Sequence, residues 1–184
     1  SLTRYVPILS KEKKLKGVAD VFEILANLNP ETVAIEIYGM GFVGLTLANV
    51  LAARGNRVYG IDTNSKIIES LSKGMPSIHE PNLPDVLKIN LKNDSISFSD
   101  NAPTKTSPYV IIAVGTPISD DGSVNLSYIN SVINVVGKRL KRNDLVMLRS
   151  TVPVGSTRSL ILELEKLSGL TAGIEFHVAF TPER

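Results

Sequence analysis

The clearest indication of the fold lies in residues 32–44, Thr-Val-Ala-Ile-Glu-Ile-Tyr-Gly-Met-Gly-Phe-Val-Gly. Thr32–Tyr38 is β-branched and largely apolar, which predicts a strand. The strand runs into the motif G-x-G-x-x-G at residues 39–44, and residues 42–54 have the apolar spacing of a helix. Glycines at this spacing are common in turns. The motif is informative here because a strand enters it and a helix leaves it.

Each glycine of the motif has a separate physical task in a dinucleotide site. Gly39 allows a tight turn, Gly41 lets the backbone approach a pyrophosphate, and Gly44 lets the helix pack close to the strand. The free N–H groups and partial positive charge at the start of the helix favour phosphate. We therefore expect a dinucleotide to contact the whole loop: Gly39, Gly41, Phe42, Val43 and Gly44.

An acidic residue, Asp62, closes the second predicted strand, Arg57–Ile61. It lies at about the 20-residue distance from the glycines that the dinucleotide-binding pattern requires. Its carboxylate can accept hydrogen bonds from ribose hydroxyls and would repel a 2′-phosphate. Thr63 and Asn64 follow, without an arginine to receive such a phosphate. NAD is therefore predicted over NADP. Asp62 could also cap the next helix, and the two roles are compatible.

Strands and helices alternate along the rest of the sequence. Such alternation predicts an α/β fold, a Rossmann-type doubly wound, mainly parallel sheet with helices on both faces. Gly115-Thr116-Pro117 follows a buried strand, where ligands of such sheets bind. The further predicted strands are 96–98 (an edge strand), 109–114, 144–148 and 175–180; the further helices are 65–73, one ending near 91, 126–140 and 156–167.

The N-terminal region, residues 1–31, precedes this pattern. Residues 1–16 are polar and basic and predict a solvated arm. Apolar residues at helical spacing over 18–28 predict a short amphipathic N-terminal helix. The predicted organisation is thus an arm and helix over 1–31 and a dinucleotide-binding domain over 32–184.

Composition narrows the functional classes. The chain has 184 residues and a net charge of +2, so a nucleic-acid partner is not expected. It has no cysteine, which excludes a disulfide, a cysteine-ligated metal and a thiol nucleophile within these residues. Its two histidines, His79 and His177, are not expected to bind metal. No apolar run predicts a membrane span and no signal sequence is apparent, so a cytoplasmic location is expected.

Several motifs resemble one family, the UDP-glucose/GDP-mannose dehydrogenases, in its NAD-binding domain. After the glycine motif come Gly-Met-Pro-Ser-Ile-His-Glu-Pro-Asn-Leu at 74–83 and Val-Gly-Thr-Pro at 114–117. They are followed by Arg-Ser-Thr-Val-Pro-Val-Gly-Ser-Thr at 149–157 and Thr-Pro-Glu-Arg at 181–184. The resemblance covers about residues 32–184, and the segments at 74–83 and 150–157 together are specific to the family.

The resemblance implies an activity and a set of site residues. The family oxidises the C6 alcohol of a nucleotide sugar to a carboxylate with NAD, and serves polysaccharide biosynthesis. Thr151 corresponds to the threonine that positions a catalytic water, and Glu183 to a glutamate that assists catalysis. The implied cofactor contacts beyond the glycine loop are Asp62, Thr63, Val114, Gly115, Thr116, Ser150 and Thr151.

The resemblance also implies what the rest of the protein supplies. The family uses a cysteine to hold the oxidised sugar, and this chain has none, so we expect the chain alone to be inactive. The sugar-binding lobe is expected beyond it, with a homodimer in the full-length protein. Thr-Pro-Glu-Arg at 181–184 replaces the usual Asn-Pro-Glu-Phe and resembles members acting on UDP-N-acetylhexosamines, especially UDP-N-acetylmannosamine.

Two other functions remain open at this point. One is a non-catalytic, regulatory NAD-binding module, for which Thr151 would merely end a strand. The other is the cofactor lobe of a β-hydroxyacid-type dehydrogenase, which shares the glycine motif but not the Ser-Thr-Val-Pro-Val-Gly segment.

Overall fold

A computed structural model describes residues 5–9, 15–20, 33–104, 107–119 and 122–182. The strands are β1 Tyr5–Leu9, β2 Leu15–Asp20, β3 Ala34–Tyr38, β4 Arg57–Ile61, β5 Ile96–Ser99, β6 Tyr109–Ile112, β7 Leu145–Leu148 and β8 His177–Phe180. The helices are α1 Phe42–Ala53, α2 Ser65–Ser72, α3 Leu83–Lys92, α4 Ser127–Gly137 and α5 Ser156–Ser168.

Six strands form one parallel sheet in the order β5-β4-β3-β6-β7-β8. The chain moves outward from β3 in one direction, returns, and then moves outward in the other, which is the doubly wound topology. The strand order reverses between β3 and β6, and a crevice forms there at the carboxyl ends of the strands. The predicted Rossmann-type fold is confirmed, with β5 at the edge as expected.

Alternate side chains of β3 pack against the two helix layers on opposite faces of the sheet. Ile35 and Ile37 pack on the face covered by α1, α2 and α3, whereas Tyr38 packs on the face covered by α4 and α5. The central strand β6 is buried on both faces, as its continuous apolar sequence predicts. Two apolar cores therefore hold the sheet between its helices, and the carboxyl ends of its strands are fixed relative to one another.

The N-terminal region differs from the prediction. β1 and β2 pair as an antiparallel hairpin, with Tyr5 opposite Asp20. Residues 5–9 form a paired strand, which the prediction of an arm did not include. The predicted helix is wrong at its start, because residues 18–20 belong to β2. β1 contains Val6 and Ile8, and β2 contains Val18; β-branched residues of this kind favour strands. The remainder of the predicted helix, from residue 21, lies outside the described residues.

Neither a membrane-spanning helix nor a cluster of metal ligands is found among the described residues. No described helix combines the length and the apolar character needed to span a bilayer. Among the same residues, no three histidine, cysteine or acidic side chains come together as a metal site.

Candidate functional site

The loops that leave β3, β4, β6 and β7 meet at the carboxyl edge of the sheet. This edge collects the predicted cofactor residues of four separate sequence segments. Glu183 lies outside the described residues, and its role stays a prediction.

The three glycines of the loop have distinct surroundings. Gly39 has a φ of +93°, and a Cβ there would lie 2.7 Å from the Ala113 carbonyl oxygen, so the turn packs directly on the end of β6. A Cβ on Gly44 would overlap the Gly39 carbonyl oxygen. A Cβ on Gly41, in contrast, would meet no atom within 4 Å. Gly39 and Gly44 are needed for packing, whereas Gly41 faces open space, as a pyrophosphate contact requires.

Helix α1 begins directly at this loop. Gly41 is its N-cap and provides no side chain to bond the first N–H groups, and the first turn contains no acidic residue. Phe42 is exposed, Val43 is half-buried and Gly44 is buried. The positive end of the helix dipole is thus left for an external anion, which fits a phosphate of the cofactor.

Asp62, at the end of β4, bridges the glycine loop and the next helix. Its carboxylate accepts hydrogen bonds from the Met40 N–H at 2.8 Å and the Asn64 N–H at 2.9 Å. Asn64 is the N-cap of α2 and accepts from the Lys66 N–H, so the capping role does not fall to Asp62. Asp62 is only half-buried, and its remaining lone pairs can accept from ribose hydroxyls. Thr63 beside it is exposed.

Two hydroxyls join the loops after β6 and β7. The Ser150 hydroxyl donates to the Val114 carbonyl at 2.6 Å, and the Thr116 hydroxyl donates to the Thr151 carbonyl at 3.0 Å. Val114 and Thr116 are half-buried, whereas Gly115 is exposed. The structure therefore brings the predicted residues of both loops together, on the side of the crevice opposite Asp62.

The side chain of Thr151 is exposed at this edge, and its neighbours in sequence are not. Ser150 is buried, and Arg149 is half-buried. Burial lowers the pKa of the Arg149 guanidinium, which still remains charged near neutral pH because arginine titrates far above that range. The β8 end lies alongside, with the Thr181 N–H donating to the Leu148 carbonyl at 2.9 Å. Thr151 is thus an exposed residue at the carboxyl edge of the sheet, and the residues before it are held by burial and by pairing with β8.

Sequence reasoning missed two features of the site. The bond from Met40 to Asp62 was not anticipated, although an acid at the end of β4 is well placed to accept from a backbone N–H of the neighbouring loop. The bond from Ser150 to Val114 was also missed, and no local pattern signals it, because the two residues are 36 positions apart.

The residues present fit NAD on structural grounds. The uncapped helix, the open space at Gly41 and the half-buried carboxylate of Asp62 suit a pyrophosphate and a ribose without a 2′-phosphate. Thr63 and Asn64 directly follow Asp62, so neither of the next two residues is an arginine that could receive a 2′-phosphate.

Comparisons with known proteins agree with this site. The sequence model described as "UDP-glucose/GDP-mannose dehydrogenase family, NAD binding domain" matches residues 33–184. UDP-N-acetyl-D-mannosamine dehydrogenase of Pyrococcus horikoshii is 36% identical over 151 residues, covering 82% of this chain and 36% of that protein. GDP-mannose 6-dehydrogenase of Pseudomonas putida is 36% identical over 155 residues, covering 81% of this chain and 35% of that protein.

The solved structure of the Pyrococcus horikoshii enzyme superposes with a TM-score of 0.79, covering 83% of this chain and 36% of that one. This chain spans about a third of the length of the relatives that it matches. The match over residues 33–184 decides against the β-hydroxyacid dehydrogenase alternative. The chain belongs to the UDP-glucose/GDP-mannose dehydrogenase family and carries its NAD-binding domain.

Proposed function

We propose that the full-length protein is an NAD-dependent dehydrogenase that oxidises the C6 alcohol of a UDP-sugar to a carboxylate. UDP-N-acetylmannosamine is the candidate substrate, and a homodimer in the cytoplasm is the expected form. The observation that carries the proposal is the placement of Thr151. Its exposed side chain lies on a loop bonded to the Gly115-Thr116 loop, within the same crevice as the glycine motif.

Some residues of this chain are assigned to cofactor binding and others to catalysis. Asp62 and the glycine loop would hold the cofactor, and two NAD molecules per turnover would supply the oxidising power, one hydride acceptor for each of the two oxidations at C6, with water providing the second carboxylate oxygen. Thr151 has a hydroxyl that can orient a water at the crevice, and we assign Glu183 a supporting role in proton transfer. A purely regulatory NAD module has no need of an exposed hydroxyl at this point, and this favours the enzyme.

Two nucleotide sugars are candidate substrates. Thr181-Pro182-Glu183-Arg184 supports a UDP-N-acetylhexosamine, as does the relative that is named for UDP-N-acetyl-D-mannosamine. GDP-mannose is the second candidate, because a relative named for it reaches the same 36% identity.

We expect the full-length enzyme to use UDP-N-acetylmannosamine with a kcat/KM at least about tenfold above that for UDP-glucose, a difference of about 1.4 kcal/mol in transition-state binding. NADH formation with a panel that also includes GDP-mannose and UDP-N-acetylglucosamine measures this preference. A higher kcat/KM for UDP-glucose or GDP-mannose would refute the substrate assignment. The absence of oxidation with every nucleotide sugar would refute the activity itself and favour the regulatory module.

We also expect this chain to bind NAD at least about tenfold more tightly than NADP, because the Asp62 carboxylate would lie beside a 2′-phosphate. Calorimetric titration with both cofactors measures the ratio. In the variant Asp62→Asn the ratio should fall toward one, since the negative charge is removed while the side-chain shape is kept. Equal affinity of the parent for NAD and NADP would contradict the role given to Asp62.

A further inference from the structure

The strands β6 and β7 stop pairing before they reach the site. Their last paired residues are Ile112 and Leu148. Just beyond that point the Arg149 and Ser150 N–H groups both donate to the Ile112 carbonyl. Further along, the two loops are joined by the side-chain bonds from Ser150 to Val114 and from Thr116 to Thr151. One bond runs from the β7 loop to the β6 loop and the other runs back. These two bonds, here named the hydroxyl clasp, continue the connection where the backbone ladder has ended.

We propose that Ser150 and Thr116 are positioning residues for the nicotinamide side of the NAD site, and that their hydroxyls hold protein carbonyls rather than the cofactor. The inference rests on the proposed NAD-dependent function. A serine or threonine hydroxyl has a single proton to donate. In both residues that proton is committed to a backbone carbonyl, and Ser150 is only 7% exposed.

The clasp acts on groups that border the crevice. Val114, which accepts from Ser150, packs against the glycine turn, since a Cβ on Gly39 would lie 2.8 Å from the Val114 Cα. Thr151, which accepts from Thr116, is the exposed residue proposed to orient water. Holding the backbone of both residues fixes where the cofactor and the Thr151 side chain can meet. Residues that hold the contact residues in place, without touching the ligand themselves, determine how precisely a binding site is positioned.

The position of the clasp predicts which half of the cofactor it affects. A doubly wound sheet binds one mononucleotide in each half. The glycine loop and Asp62 belong to the half containing β3, β4 and β5, and they hold the adenosine and phosphate side. The clasp lies in the half containing β6 and β7, so removing it should weaken NAD but not AMP.

The test is calorimetric titration of the protein and its variants with NAD and with AMP. Ser150→Ala should weaken NAD about tenfold, since it leaves the carbonyl of half-buried Val114 without this donor, and Thr116→Val should weaken it about threefold to tenfold. Thr116→Ser keeps the hydroxyl and should restore the parent affinity. AMP affinity should stay unchanged throughout. Ser131→Ala is the matched control, since it removes an exposed hydroxyl that donates within α4.

The outcomes separate this inference from the proposed function. Equal weakening of NAD and AMP in Ser150→Ala would indicate a general structural role and overturn the inference. Unchanged NAD affinity in Thr116→Val, the half-buried and more tolerant position, would also overturn it. A parent protein that binds AMP but not NAD would instead refute the proposed function. Thermal unfolding of each variant shows which of them retain the native fold, and Thr116→Val decides the matter should Ser150→Ala unfold.

Discussion

Replacing Arg139 with methionine is expected to lower the free energy of unfolding by about 3–5 kcal/mol, the usual cost of leaving one partner of a buried ion pair alone. Glu36 lies in β3 and is 0% exposed. Its carboxylate accepts from the Arg139 guanidinium at 2.9 Å, the Tyr38 hydroxyl at 2.8 Å and the Ser107 N–H at 2.7 Å. Without Arg139 a negative charge would remain buried with only neutral donors.

Tyr38 strengthens this network by remaining protonated. Its burial, together with the neighbouring Glu36 carboxylate, raises the pKa of the phenol, so the hydroxyl continues to donate to Glu36 across the ordinary pH range. The guanidinium of Arg139 also donates to the Tyr38 oxygen at 2.6 Å and to the Pro103 carbonyl at 2.6 Å. The network thus links β3, the loop before β6 and the end of α4.

Urea unfolding measures the effect, and two variants serve as comparisons. Arg142→Met removes an arginine that is 73% exposed and paired with Glu175 at 2.6 Å, and it should cost less than about 1 kcal/mol. The double variant Glu36→Gln/Arg139→Met removes the buried charge but keeps an acceptor for the Ser107 N–H, so it should regain part of the lost stability. If Arg139→Met cost no more than Arg142→Met, burial of the pair would not matter and the argument would fail.

Most of the sheet could be predicted because its signals are local. Continuous apolar runs mark the inner strands, and a glycine ends α1, since Gly55 has a φ of +91°. The ends of strands were less predictable. Residues 113–114 and 175–176 were expected in strands, yet β6 ends at Ile112 and β8 begins at His177. Pairing with a neighbouring strand, rather than apolar sequence, sets those limits.

The errors concern contacts between distant residues. Residues 18–20 fit a helical pattern, but they pair with β1, and periodicity carries no information about such pairing. Glu36 fell within a strand predicted as largely apolar. Its complete burial depends on Arg139, which lies 103 positions further along the chain.

The site shows the same division between local and distant information. The glycine loop and Asp62 could be predicted because one strand–turn–helix unit and the next strand contain them. The bonds of Ser150 and Thr116 depend on where two separate loops meet. Their hydroxyls donate to protein carbonyls, which the sequence did not indicate, and their contact with the cofactor stays a prediction.

Replacing Gly41 with valine is expected to weaken NAD binding by about 100-fold or more, equivalent to about 2.7 kcal/mol, while the domain still folds. Gly41 has a φ of −73° and a ψ of −165°, which any residue can adopt. A Cβ there would meet no protein atom within 4 Å, so the fold has room for a side chain. The branched side chain would instead occupy the place through which the backbone approaches the pyrophosphate.

Gly44→Ala is the comparison that separates loss of cofactor binding from loss of packing. At Gly44 the added side chain should disturb the fold, whereas at Gly41 it should block only the cofactor. A Cβ on Gly44 would overlap the Gly39 carbonyl oxygen, so α1 would have to move away from the strand. Overpacking of this kind costs about 1–3 kcal/mol or more. Thermal unfolding and NAD titration of both variants should therefore show Gly41→Val near the parent in stability but about 100-fold or more weaker in NAD affinity. Gly44→Ala should be clearly destabilised. A Gly41→Val protein that bound NAD as the parent does would place the pyrophosphate elsewhere and remove the main support for the site.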